Sequence, residues 1–248
     1  MKYVNKLTPR LVPGRNGPKR RGRGRIPDEP IFLRQGDLDG ACGYYCLLMA
    51  LIALGLFRRS EVLDLDVRKP VKALARIRAS ARPHYFSGTG TKTLQKLLSP
   101  VKDALQVGIT NGKDNKVRDF VVEHLARGDF VVLGMENVRQ ELAHWVLAVG
   151  MSGTRTRGEF KPTRFLLLDP DVNGPGVSAG TAQSTCRPPP RTVNYGACAK
   201  SKADNGWRVS MVRLRSASKM KPSADSGRFG ILRRRRMLRW LRAVFSAG

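Results

Sequence analysis

Fourteen residues, Ala41 to Leu54, constrain this chain's fold more than any other stretch. The segment ACGYYCLLMALIAL is apolar nearly all round, so a helix built from it has no face that belongs in water. Such a helix must be enclosed, which demands core material on several sides of it. Gly55 follows directly and is the residue type that closes a helix in a left-handed conformation. With 248 residues, 41% of them hydrophobic, the chain has enough apolar material to build that enclosure.

What surrounds the helix is readable from the change of period downstream. Helical patterns are expected over Val71 to Arg78, over Thr91 to Leu105 with a break at Pro100, and over Asn115 to Arg127, stopped by Gly128. From residue 129 the chain turns to short runs rich in Val, Leu and aromatics: DFVVLGME, HWVLAVG, RFLLLD and WRVSMVRL. Bounded by Gly, Asp and Pro, these read as consecutive strands of one sheet. Helices first and strands second predict an α+β fold, a helical layer with the buried helix packed on an antiparallel sheet. Asp28 to Leu33 is expected to enter the fold as an extended segment. Residues 173–204, rich in Gly, Pro, Ser and Thr, read as a long loop or insertion between the last two strands.

Charge divides the chain differently. Lys and Arg number 46 against 19 Asp and Glu, a net +27. Residues 1–27 carry nine of those cations and no acid, with Gly and Pro interspersed, and predict a disordered basic arm. Residues 219–248 form a basic tail, whose RRRRMLRWLRAVF is an amphipathic helix candidate with Met237, Leu238, Leu241, Val244 and Phe245 on one face. The folded domain is then expected over 28–218. A field of this sign favours anionic partners, either a membrane surface or nucleic acid, through the termini. Tyr3 is the lone aromatic of the first 27 residues, which argues against sequence-specific base recognition there. No stretch is apolar enough to span a bilayer, and none reads as a secretory signal. The four cysteines include no CxxC, so reduced thiols and a cytoplasmic location, peripheral to a membrane if the tail binds one, are expected. Cys186 and Cys198 lack the partners of a zinc site, and no metal or cofactor is called for.

Cys42 opens the apolar helix, where the helix dipole favours a thiolate. The turn residues of DLDGA precede it, with Asp37 and Asp39 as turn or capping residues, and Gly43 after it is expected to let a substrate backbone approach closely. An imidazole is the second requirement, and the chain has three histidines. His84 and His124 carry no further signal, whereas His144 opens a strand and so sits where a side chain can face a cleft. Asp169 ends the next strand beside it as the group that would fix the imidazole's tautomer, with Asp171 the alternative. Gln35, seven residues before Cys42, together with the Cys42 N–H, supplies donors for an oxyanion. Cys46, one turn deeper, reads as core.

Gln35 ahead of ACGYY, then HWVLAVG, then LLLDPD resembles the papain-like cysteine peptidase superfamily, and most its bacterial branch of bacteriocin-leader-processing peptidases. The likeness covers about Pro30 to Asp171. It implies a papain-like fold, peptide or protein substrates, Cys42 as nucleophile, His144 as general base and acid, Asp169 as the orienting group and Gln35 as oxyanion donor. The intervening GDLDGA is acidic where that branch is usually neutral, and export of a double-glycine peptide is not implied. Two functions therefore compete: a thiol peptidase or related amide hydrolase, and a catalytically degenerate scaffold acting as a basic adaptor for nucleic acid, an anionic membrane or a protein partner.

Overall fold

The computed structural model describes residues 2–15, 17–22, 24, 26–36, 40–64, 71–112, 114–137, 142–171 and 207–217. Asp37, Asp39, the 173–204 segment with Cys186 and Cys198, and the amphipathic stretch of the basic tail lie outside them. Among the described residues no helix is long and apolar enough to cross a membrane.

The fold is α+β. Four strands lead in: β1 (Lys2–Leu7), β2 (Leu11–Val12), β3 (Lys19–Arg20) and β4 (Glu29–Pro30). The helices α1 (Cys42–Leu54), α2 (Arg59–Leu63), α3 (Lys72–Ala81) and α4 (Thr91–Leu97) follow. Then come β5 (Leu105–Gly112), α5 (Asp114–Ala126), β6 (Phe130–Asn137), β7 (Leu142–Thr156), β8 (Glu159–Leu168) and β9 (Trp207–Ser216). Every residue of α1 except Tyr45 is buried, as its all-round apolar pattern requires. Gly55 ends it at φ 79°, its N–H turned back to the Ile52 and Leu51 carbonyls.

The main sheet is antiparallel throughout, with β5, β9, β6 and β7 side by side. β7 is long enough to hold three neighbours. Its first half pairs with β6 and its second half with β1 on the same edge, while β8 lies along the other. Alternation along β7 feeds two cores. Trp145, Leu147 and Val149 join the cluster around α1, whereas Val146, Ala148 and Met151 join Val117, Val121 and Leu125 of α5. The helical layer is thus not confined to one face: α5 covers the face opposite α1.

Residues 1–27 are not the disordered arm that their charge predicts. Lys2–Leu7 forms β1, and Leu11–Val12 and Lys19–Arg20 belong to a small sheet with β4. Charge count misleads because strand cations can point their heads to solvent while the apolar positions between them are buried. Leu11 lies in the α1 core, and buried Thr8 donates its N–H to the Val149 carbonyl and its hydroxyl to that of Leu125. Arg20 finds an acid beyond the arm, Glu29, at 2.8 Å. A second difference lies at Leu105. The helical run ends at Leu97, a 3-10 segment covers Ser99–Ala104, and the chain then extends as β5.

Candidate active site

Antiparallel pairing brings the start of β7 beside the end of β8, since Leu147 faces Leu168 and Ala148 faces Leu167. His144 is the third residue of β7 and Asp169 the first past β8, so the two meet at one end of the sheet. Imidazole Nε2 and Asp169 Oδ1 are 2.8 Å apart. The same oxygen accepts the Asp171 N–H at 3.0 Å, an Asx-type turn across Pro170 that aims the carboxylate. Of the two aspartates flanking Pro170, Asp169 therefore holds the histidine.

Cys42 is the first residue of α1 and is buried, at the positive end of the helix dipole. One turn deeper, fully buried Cys46 donates its thiol to the Trp145 carbonyl at 3.3 Å, which ties the start of α1 to β7 next to His144. Burial pushes the Cys46 thiol well up, with the nearby Cys42 and Asp169 charges adding to it. That keeps Cys46 a protonated core group, as expected of it.

The electrostatics of His144 reflect both neighbours. Burial on its own would push its pKa down; hydrogen bonding to Asp169 and to Cys42, together with their negative charges, raises it from 6.5 to about 10. Nε2 is committed to Asp169, and the hydrogen-bonding influence of Cys42 on the same ring places the sulfur beside the imidazole. Cys42, His144 and Asp169 thus form one connected constellation, drawn from the helix start, a strand start and a strand end.

Gln35 comes to the same place. Its N–H donates to the Pro170 carbonyl at 2.9 Å, and its side-chain Nε2 to Asp171 Oδ1 at 3.2 Å. All four residues that the sequence singles out converge on the end of β8, with Gln35 directed to Asp171.

Gly43 departs from expectation. A Cβ there would come within 2.2 Å of Thr89 Oγ1 and 3.0 Å of both Leu94 and Trp145. Close packing inside the protein, rather than substrate approach, requires this glycine. Trp145 organises that packing: its Nε1–H donates to the Thr89 carbonyl at 2.7 Å, and its ring covers Gly134 of β6, where a Cβ would lie 2.6 Å from it. The Thr89 segment also fixes the turn before Cys42, since the Gly40 N–H donates to the Tyr85 carbonyl at 2.5 Å. Sequence reasoning did not single out Thr89 or Gly134; a glycine inside a strand pattern was the available signal for the latter.

The other histidines are placed elsewhere. His84 ends a 3-10 turn. His124 is buried in α5 with Nδ1 at 3.0 Å from Asp129, which also accepts Arg215 Nε and Nη2 at 2.7 and 2.8 Å. This cluster pins the end of α5 to β9 and has no link to Cys42. Among the described residues no group of three His, Cys, Asp or Glu side chains is arranged to hold a metal ion.

The chain matches no protein-family model and no curated protein.

Proposed function

We propose that this protein is a cysteine peptidase or related amide hydrolase with a papain-like fold, and that Cys42 is its nucleophile. The observation that carries the reading is the His144–Asp169 pair at 2.8 Å, with the ring lying beside a cysteine at a helix N-terminus. A histidine pushed up to about 10 by that company stays an imidazolium at neutral pH, which stabilises a thiolate beside it.

In the proposed reaction the Cys42 sulfur attacks a scissile carbonyl carbon, and the C=O pair moves onto oxygen. The Cys42 N–H and the Gln35 amide hold that oxyanion; Gln35 reaches it by giving up its long, solvent-exposed contact with Asp171. When the intermediate collapses, His144 hands its proton to the departing amine. The neutral imidazole then takes a proton from water, whose hydroxide releases the acyl group from sulfur. Asp169 keeps the ring oriented throughout and favours its charged form whenever it holds the proton.

The test is a mapping of new N-termini in a peptide library incubated with wild type or with Cys42→Ala. Cleavages present with wild type and missing with the variant support the reading. Identical products, or none, sink it and promote the basic adaptor.

A further inference from the structure

At the far end of β7 and β8 the sheet carries a surface with no part in the chemistry above. Ser152 lies eight residues along β7 from His144, roughly 25 Å at about 3.3 Å per residue. Here β1, β7 and β8 present Lys2, Arg155, Arg157, Lys161 and Arg164, all exposed. Glu159 is the one acid in these stretches, and it meets Lys161 at 3.7 Å.

An aromatic ring shares one face of the sheet with Lys161 and Arg164, while Lys2 and Arg155, paired with each other, alternate to the opposite face. Tyr3 pairs with Thr154, which pairs in turn with Lys161; the neighbouring row of the same face is Asn5, Ser152 and Arg164. Tyr3 is 51% exposed, yet its hydroxyl is 3.0 Å from the oxygen of Ser152, a residue 2% exposed. The anchored hydroxyl fixes the ring against the sheet and leaves half of its surface to solvent. A held aromatic face with cations on the same side of the sheet, one strand beyond its neighbour, is what an unpaired base and its phosphates require. The strand spacing of about 4.8 Å puts Lys161 and Arg164 about 10 Å from Tyr3 across the sheet, within the reach of long side chains toward a nucleotide's phosphates. A bilayer fits the same place poorly, because the hairpin tip, Thr156-Arg157-Gly158-Glu159, offers no apolar residue to insert.

We propose that the β1–β7–β8 end of the sheet binds single-stranded nucleic acid, a base stacked on Tyr3 and phosphates held by Lys161 and Arg164. This surface is independent of the Cys42 site, so either assignment can fail without the other.

The test uses the full chain and a fluorescein-labelled oligo(dT) of about 15 nucleotides, read by anisotropy across a salt series. Tyr3→Ala weakens binding about tenfold, within the range expected for a lost stacking contact. Tyr3→Phe, which keeps the ring, retains most of the affinity and guards against a folding artefact. Lys161→Glu with Arg164→Glu lowers the slope of log K against log salt by about 1.4, roughly 0.7 for each lost phosphate contact on a single strand. Lys72→Glu with Arg76→Glu on α3 makes the same change in net charge and leaves the affinity within about twofold, as expected if contact rather than the overall field decides. The proposal is overturned if the α3 pair weakens binding as much as the β8 pair, if Tyr3→Ala changes nothing, if a duplex of equal length binds as tightly, or if phosphatidylserine vesicles bind with the same Tyr3 dependence.

Discussion

Asp169→Asn isolates what the carboxylate does for His144. The amide is nearly isosteric and can still accept from the Asp171 N–H, so the turn at Pro170 survives while the charge goes. In the wild type, Asp169 and Cys42 together overcome burial and move the imidazolium's pKa from 6.5 to about 10. At about 1.4 kcal/mol per pH unit, that preference is worth roughly 5 kcal/mol. Asp169 makes the stronger contact, and only 26% of the His144 side chain is exposed to screening solvent, so about 2–3 kcal/mol is its share. A raised folded-state pKa contributes stability that is complete below about 6.5, declines above it and is gone as pH passes the folded value near 10. The comparison is best made in a Cys42→Ala background, which removes the other charge facing the ring. Urea titrations at steps from pH 6 to pH 10.5 then give the stability gap between Asp169 and its Asn replacement. The gap is about 2–3 kcal/mol at pH 6 and closes toward zero below pH 10, because removing the Cys42 charge lowers the folded-state value of His144. A gap that stays constant over this range would mean that the carboxylate acts only as a turn residue, and the electrostatic account of His144 would be wrong.

Three further outcomes follow from the packing and the geometry. Gly43→Ala forces a methyl into space held by Thr89, Leu94 and Trp145, and thermal unfolding should report a loss of about 1–3 kcal/mol; an unchanged Tm would show that the helix start shifts freely. Asp129→Ala strands a buried histidine and frees Arg215, so chemical denaturation should show a loss of about 3–5 kcal/mol, with hydrolysis per folded molecule preserved. Gln35→Ala should lower kcat about 10²–10³-fold with little change in KM, as for one oxyanion donor; an effect on KM alone would make Gln35 a substrate-binding residue.

The parts of the molecule legible in its sequence are those where one physical demand leaves one solution. An all-round apolar helix can only be central, and α1 is. The strands β6, β7, β8 and β9 announce themselves by dense Val, Leu and aromatic runs, and antiparallel pairing of neighbours then brings His144 and Asp169 together. Choosing between Asp169 and Asp171 needed three dimensions, because both flank Pro170 and only the turn geometry assigns one to the histidine. The β1 strand was hidden by Lys2 and Lys6, whose charge suggests solvent while Val4 and Leu7 enter the sheet. β5 was hidden by Gly108, Asn111 and Gly112, weak strand formers tolerated on a strand that, among the described residues, pairs only with β9. The purpose of Gly43 is not legible locally, because the residues that crowd it, Thr89 and Trp145, are distant in sequence. Nothing in local pattern says which face a helix will cover, so the position of α5 opposite α1 was equally out of reach.

The account rests on Cys42 being an activated thiol, and alkylation measures that directly. Brief exposure of the native protein to iodoacetamide at pH 6, followed by mass mapping, should label Cys42 ahead of Cys46, Cys186 and Cys198, because the His144 imidazolium and the helix N-terminus activate that sulfur for alkylation. The same exposure of His144→Ala should leave Cys42 essentially unlabelled. Equal, slow labelling of the cysteines in wild type, or fast labelling of Cys42 that persists without His144, would contradict the central claim.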